Sequence, residues 1–263
     1  MNIASVHLSN GNVGDRSCSP LDSFDLQFSR FLFKKAALSQ LVGHHLIIGG
    51  GGLFFPGGRR WILGAAEFMR ANSPASKLII WGAGSNSPLK KPRFIPFWLG
   101  LFDLVGLRDF GNPIHYVPCA SCLRSEFNAP RPAPQHDVII FEHLANPVKT
   151  PALAHAPRMA SSHKLSLSNA LDFLASGQTI VTSSFHGAYW GLLLARRVVL
   201  YKPPSTRFIS FPVRLPFIGD EPLSTNFAGL AIPNFLDDCR GINMRFAREV
   251  FSVLNIPQPE MRR

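Results

Sequence analysis

The sequence predicts an α/β protein made of two Rossmann-like parallel-sheet domains facing a cleft. Three observations carry that expectation. Short apolar runs alternate with amphipathic stretches along the chain, the pattern of βα units. Four apolar runs end in glycine or small polar residues, at 10–15, 49–52, 82–86 and 182–187. A stretch with three prolines and no apolar periodicity, Asn128–Gln135, divides two series of such units. The 263 residues suffice for two domains, expected over 1–130 and 131–263.

The elements follow in order. Ile3–Leu8 reads as a strand, with residues 10–15 as its loop, and Pro20–Leu41 has helical content. His45–Ile48 is a buried strand ending in Gly49–Gly52, and Trp61–Ala71 is a helix. Lys77–Trp81 is a strand running into Gly82-Ala83-Gly84-Ser85-Asn86. Phe94–Leu101 looks helical, and Leu104–Leu107 is a short strand stopped by Arg108-Asp109. Beyond the linker, Val138–Glu142 is a strand and Ser166–Leu174 is helical. Thr179–Thr182 is a strand leading through Ser183-Ser184-Phe185-His186-Gly187 into a helix over Ala188–Ala195, and Arg197–Tyr201 is the next strand. In Met244–Leu254, Phe246, Val250, Phe251 and Leu254 share one helical face.

Composition narrows the class. Lys and Arg number 27 against 16 Asp and Glu, a formal charge of +11, while charged residues are only 16% and hydrophobic ones 46%. That balance excludes wholesale disorder and favours anionic partners. No recognised nucleic-acid-binding pattern accompanies the charge, so nucleic acid is not expected. The first residues lack the cationic start and apolar core of a secretory signal, and no apolar run is long enough to span a membrane. A cytoplasmic protein with reduced thiols is expected. Cys119-Ala120-Ser121-Cys122 has the spacing of half a zinc site or a redox pair, but no second pair completes four ligands. It reads as small residues in a loop. His44-His45 has no carboxylate at ligand spacing, so no metal is expected.

Glycine-rich turns at strand ends let backbone N–H groups approach an oxyanion, and in parallel sheets ligands gather there. Gly49–Gly52 is neither a phosphate-binding P-loop nor a dinucleotide fingerprint. Five short motifs stand in order: Asn12-Val13-Gly14-Asp15, Gly49-Gly50-Gly51-Gly52-Leu53-Phe54, Trp81-Gly82-Ala83-Gly84, Gly106-Leu107-Arg108-Asp109 and Thr182-Ser183-Ser184-Phe185-His186-Gly187. Their order and spacing, over about residues 3–201, resemble the polysaccharide pyruvyl transferase family. The resemblance implies a glycosyltransferase-B-like fold with the site in the interdomain cleft. It also implies transfer of the pyruvyl unit of phosphoenolpyruvate, as donor substrate without a further cofactor, onto sugar hydroxyls of an exopolysaccharide or lipid-linked glycan. Ser184 stands where some members carry Arg, which passes more of the donor's charge to Arg108, Arg207 or Lys202.

Within that expectation His186 is the acid–base residue, since histidine exchanges protons near neutrality. Arg108 offers a planar fork for carboxylate or phosphate. Asp15 is a base or orients the acceptor, with a helix N-cap as its structural alternative. Asn12 and Gly14 shape the loop. Gly50, Gly51 and Ser184 line the donor site, and His143, beside Glu142, faces it from the second half. Lys90–Leu99 mixes cations with aromatics, which suits either peripheral contact with an anionic membrane face or an ordinary packed helix. Two other functions compete: a glycosyltransferase of the same fold using a nucleotide sugar, and a non-catalytic subunit of polysaccharide assembly.

Overall fold

The computed structural model describes residues 2–8, 12–88, 96–219 and 228–262. Asn10 and Gly11 of the first loop, and Lys90–Ile95 of the cationic aromatic segment, lie outside the described residues.

Two all-parallel sheets form the frame. The first has six strands, β1 (Asn2–His7), β2 (Ser29–Leu32), β3 (His44–Gly49), β4 (Leu78–Ala83), β5 (Leu104–Leu107) and β6 (His115–Tyr116), in the order β2-β1-β3-β4-β5-β6. The second has five, β7 (His136–His143), β8 (Arg158–Ser161), β9 (Gly177–Thr182), β10 (Arg197–Tyr201) and β11 (Phe217–Ile218), in the order β11-β10-β9-β7-β8. The sheets therefore divide on either side of residues 128–135. Five helices accompany them among the described residues: α1 (Val13–Ser17), α2 (Pro56–Asn72), α3 (Leu167–Ala175), α4 (Phe185–Leu193) and α5 (Phe235–Val253).

Parallel strands bury both faces, and the period-two alternation shows how. Ala4, Val6, Leu46, Ile48, Leu78 and Ile80 face Ile62, Ala66 and Met69 of α2. Ile3, Ile47 and Ile79 face the other way, into a core shared with Ile139 and Phe141 of β7 and Ile180 of β9. The two sheets thus meet through one continuous apolar core. The last helix closes it: Phe246 and Phe251 of α5 pack edge-on against Trp81 of β4. Asn243 of α5 is fully buried, accepts from the Trp81 indole N–H at 2.9 Å and donates to Pro118 O at 3.1 Å. The C-terminal helix follows the second sheet in sequence and packs on both halves, against Trp81 of β4 and, through Phe235, against Tyr189 of α4.

Three expectations need correction. Pro20–Leu41 is not helical: it holds the edge strand β2 between two 3-10 turns, Pro20–Ser23 and Leu38–Leu41. Its closely spaced phenylalanines and leucines mimic a helical stripe, while pairing to β1 fixes the extended form. The described part of Phe94–Leu101 is a 3-10 turn over Phe97–Leu101 following Pro96, whose ring removes a helix donor. The helix after Thr182 begins at Phe185 rather than Ala188, so His186 lies in its first turn. Ser184 starts it, its hydroxyl accepting from Gly187 N–H.

Candidate active site

Asp15, Arg108, His143, His186 and Arg207 converge where the carboxyl ends of the two sheets meet. Asp15 follows β1. Asn12, not Asp15, is the N-cap of α1: its side-chain Oδ1 accepts from Asp15 N–H at 2.9 Å, and its side-chain Nδ2 donates to the Asp15 carboxylate at 2.8 Å. Asn12 therefore fixes both the helix start and the carboxylate. Burial pushes the Asp15 pKa up, and the charges of His186, Arg207 and Arg108 and the Asn12 hydrogen bond pull it back only in part.

Arg108 follows β5 and is only 4% exposed. Its guanidinium lies 4.3 Å over the Phe185 ring and donates to Ser85 O at 3.2 Å. Gly84 makes room for it, since a Cβ there would stand 2.5 Å from Arg108 Cγ. The neighbouring Asp109 forms no ion pair with it among the described residues; one of its carboxylate oxygens accepts from Ser85 N–H at 2.7 Å, and the other is buried without a partner among those residues. Arg207 comes from the second half. Burial and the charge of Arg108 lower its pKa to about 10, with Asp15 opposing. The Nε of each arginine is buried without a hydrogen-bond partner among the described residues. Lys202, the third cation the sequence offers, is exposed and lies against the Tyr201 ring.

His143 ends β7. Its N–H donates to Ser183 Oγ at 3.0 Å, which ties β7 to the loop before α4. Its Nδ1 accepts from Ala145 N–H at 3.2 Å. Burial lowers its pKa, the charges of Arg207 and His186 lower it further, and Asp15 works against them. Glu142 is spent on structure, accepting from Val148 N–H at 2.8 Å.

His186 is 7% exposed. Its Nδ1 edge lies on Gly14, where an added Cβ would stand 1.9 Å from the ring nitrogen. Glycine at 14 is thus a steric requirement of the histidine 172 positions later. Gly50 and Gly51 have φ of +75° and +81°. A Cβ at Gly50 would meet Cys18 O at 2.2 Å, so this turn closes tightly on α1. Gly50 N–H is already bonded to Trp81 O at 3.0 Å, which removes it as an oxyanion donor. The Ser184 oxygen accepts from Gly187 N–H in the helix cap, which leaves its hydroxyl hydrogen available to a ligand.

The sequence reading did not place cysteines here. Cys18 and Cys119 are both buried, and their sulfurs and one ring nitrogen of His186 lie within 4.8 Å of one another. Cys119 Sγ is 3.7 Å from His186 Nε2. Its C-x-x-C companion Cys122 points elsewhere, accepting from the Asn243 amide at 3.4 Å. All four cysteines are free thiols. The C-x-x-C spacing was visible, but not that one member would face the site and the other α5.

No family profile matches the chain, and no curated protein matches it. Among solved structures, the chain is similar to an uncharacterized protein from Klebsiella pneumoniae subsp. pneumoniae NTUH-K2044. The two share 14% identity over 82% of this chain and 92% of that one, with a TM-score of 0.49. Among the described residues no helix is long and apolar enough to cross a membrane.

Proposed function

We propose that the chain is a pyruvyl transferase of the polysaccharide type, with two halves arranged as in glycosyltransferase-B enzymes. One observation carries the reading: Arg108 and Arg207, one from each half, act on each other and on the single carboxylate of Asp15. Two guanidinium groups, one buried and one half-buried, each with an Nε that has no hydrogen-bond partner among the described residues, suit an anion with two charged groups. Phosphoenolpyruvate carries both a phosphate and a carboxylate for two guanidinium forks. In the reaction a proton adds to the donor's methylene carbon, two sugar hydroxyls bond to its C2, and phosphate leaves with the former enol oxygen. The two hydroxyl protons go to the methyl group and to phosphate or solvent. His186 supplies the proton to carbon, and Asp15 takes a hydroxyl proton. His143, its pKa lowered by burial, orients the acceptor.

The test is phosphate release from phosphoenolpyruvate with acceptor glycans. His186→Ala should cut the rate by ~10²–10⁴ with donor binding largely kept. Wild-type turnover in that variant would remove His186 from the chemistry. A chain that releases no phosphate with any acceptor but turns over sugar nucleotides would be the glycosyltransferase instead.

A further inference from the structure

We propose that Cys119 is the positioning residue of His186, fixing its ring so that Nε2 carries the hydrogen and Nδ1 exchanges protons in the site. The inference rests on the acid–base role given to His186 above. Cys119 immediately precedes the 3-10 turn Ala120–Leu123, and its sulfur lies 3.7 Å from His186 Nε2. Ser121 Oγ stands 3.3 Å from the same sulfur. That oxygen accepts the Trp190 indole N–H at 3.0 Å, which leaves its own hydrogen available to Cys119. With the Ser121 hydrogen on one side of the sulfur, the Nε2–H of His186 meets it on another.

The ring has no freedom to turn away. Trp190 lies tilted at 5.1 Å on one side and Phe185 edge-on at 5.3 Å. With Nε2 engaged, Nδ1 is the remaining nitrogen, and it lies on the Gly14 side, one residue from Asp15. When one ring nitrogen is bonded, the proton on the other is set by that bond. The logic is that of an orienting partner behind a catalytic histidine, with a thiol in place of a carboxylate.

A metal ion on Cys18, Cys119 and His186 is the rival use of the same three side chains. Cys18 argues against it: its sulfur lies 3.0 Å from Gly14 O and 3.3 Å from Asp15 O, so it serves as a donor. A metal would require a thiolate facing two carbonyl oxygens.

The experiment is nitrogen-15 resonance spectroscopy of the full chain labelled at histidine. The His186 signals are identified by their loss in His186→Ala. The expected result is a protonated Nε2 and an unprotonated Nδ1 in the neutral ring. Cys119→Ser should keep that tautomer, and Cys119→Ala should lose it and shift the pH profile of phosphate release. A wild-type ring protonated at Nδ1 would overturn the proposal without any variant being needed. So would an unchanged tautomer in Cys119→Ala, or one equivalent of zinc in the purified chain that disappears in Cys119→Ser. The ring signals do not depend on turnover. The expected tautomer in a chain that transfers no pyruvyl group would therefore sink the functional reading and leave the positioning one standing.

Discussion

Arg108 and Arg207 hold the strongest charge argument at the scale of single residues. A hydrogen bond to a charged group contributes about 1.5–3 kcal/mol. Arg108→Ala and Arg207→Ala should each weaken phosphoenolpyruvate binding by roughly tenfold to a hundredfold, read by calorimetry. Arg207→Ala binding as well as wild type would leave Arg108 as the sole donor ligand. Asp15 gives a prediction with a sign. Its burial keeps the proton on to a pH above the ordinary carboxylate range, and the base form appears only as pH rises through that value. The rate should therefore fall on the acid side of the profile above where an exposed carboxylate titrates. In Asp15→Asn that limb should vanish along with most of the rate; a profile unchanged in shape would assign the limb to another group. Asp15, Arg108, His143 and His186 were all legible in the sequence because each follows an apolar strand. Cys119 was not. Its partner is 67 residues away, and only the meeting of β9 and α4 with the turn after Pro118 brings them together.

At the scale of elements, α5 is held to the first sheet by a polar contact inside an apolar interface. Asn243 satisfies Trp81 N–H and Pro118 C=O at once. Asn243→Ala leaves both buried without partners, at about 1–3 kcal/mol each. Denaturant unfolding should show a loss of about 2–6 kcal/mol, and a loss under about half a kcal/mol would mean water replaces the amide. The turn after β3 makes a second demand. Gly50→Ala places a side chain in the left-handed region, about 1–2 kcal/mol, and against Cys18 O. It should lose at least that much stability and shift α1, so that activity falls further than stability explains. Central elements were legible for a physical reason: β3, β4, β9 and β10 are buried on both faces and read as apolar runs. The edges were not. β2, β6, β8 and β11 are two to four residues each, too short for any period, and are extended because a neighbour pairs with them. α5 was legible only in its second half, where Phe246, Val250 and Phe251 mark one face; Phe235–Asn243 carries too mixed a pattern.

For the whole molecule, the shared core means that the two sheets are not independent bodies joined by a linker. Ile3, Ile79, Ile139 and Ile180 belong to one cluster, and α5 staples it. A single unfolding transition is therefore expected, and a ligand bound by Arg108 on one side and Arg207 on the other should stabilise all of it. At a free concentration of a hundred times Kd, binding adds about 2.7 kcal/mol. For a chain of this size each kcal/mol moves Tm by about 2–4 °C, so phosphoenolpyruvate should raise Tm by roughly 5–11 °C. A tenfold loss of affinity removes about 1.4 kcal/mol at the same concentration. Arg108→Ala and Arg207→Ala should then each forfeit about 3–6 °C of the shift while the transition stays single. Both variants must respond if the donor bridges the halves. A shift lost in Arg108→Ala but intact in Arg207→Ala would confine the donor to the first sheet. In that case the hydroxyls would have to be delivered from the second half, with Arg207 and His143 as acceptor ligands.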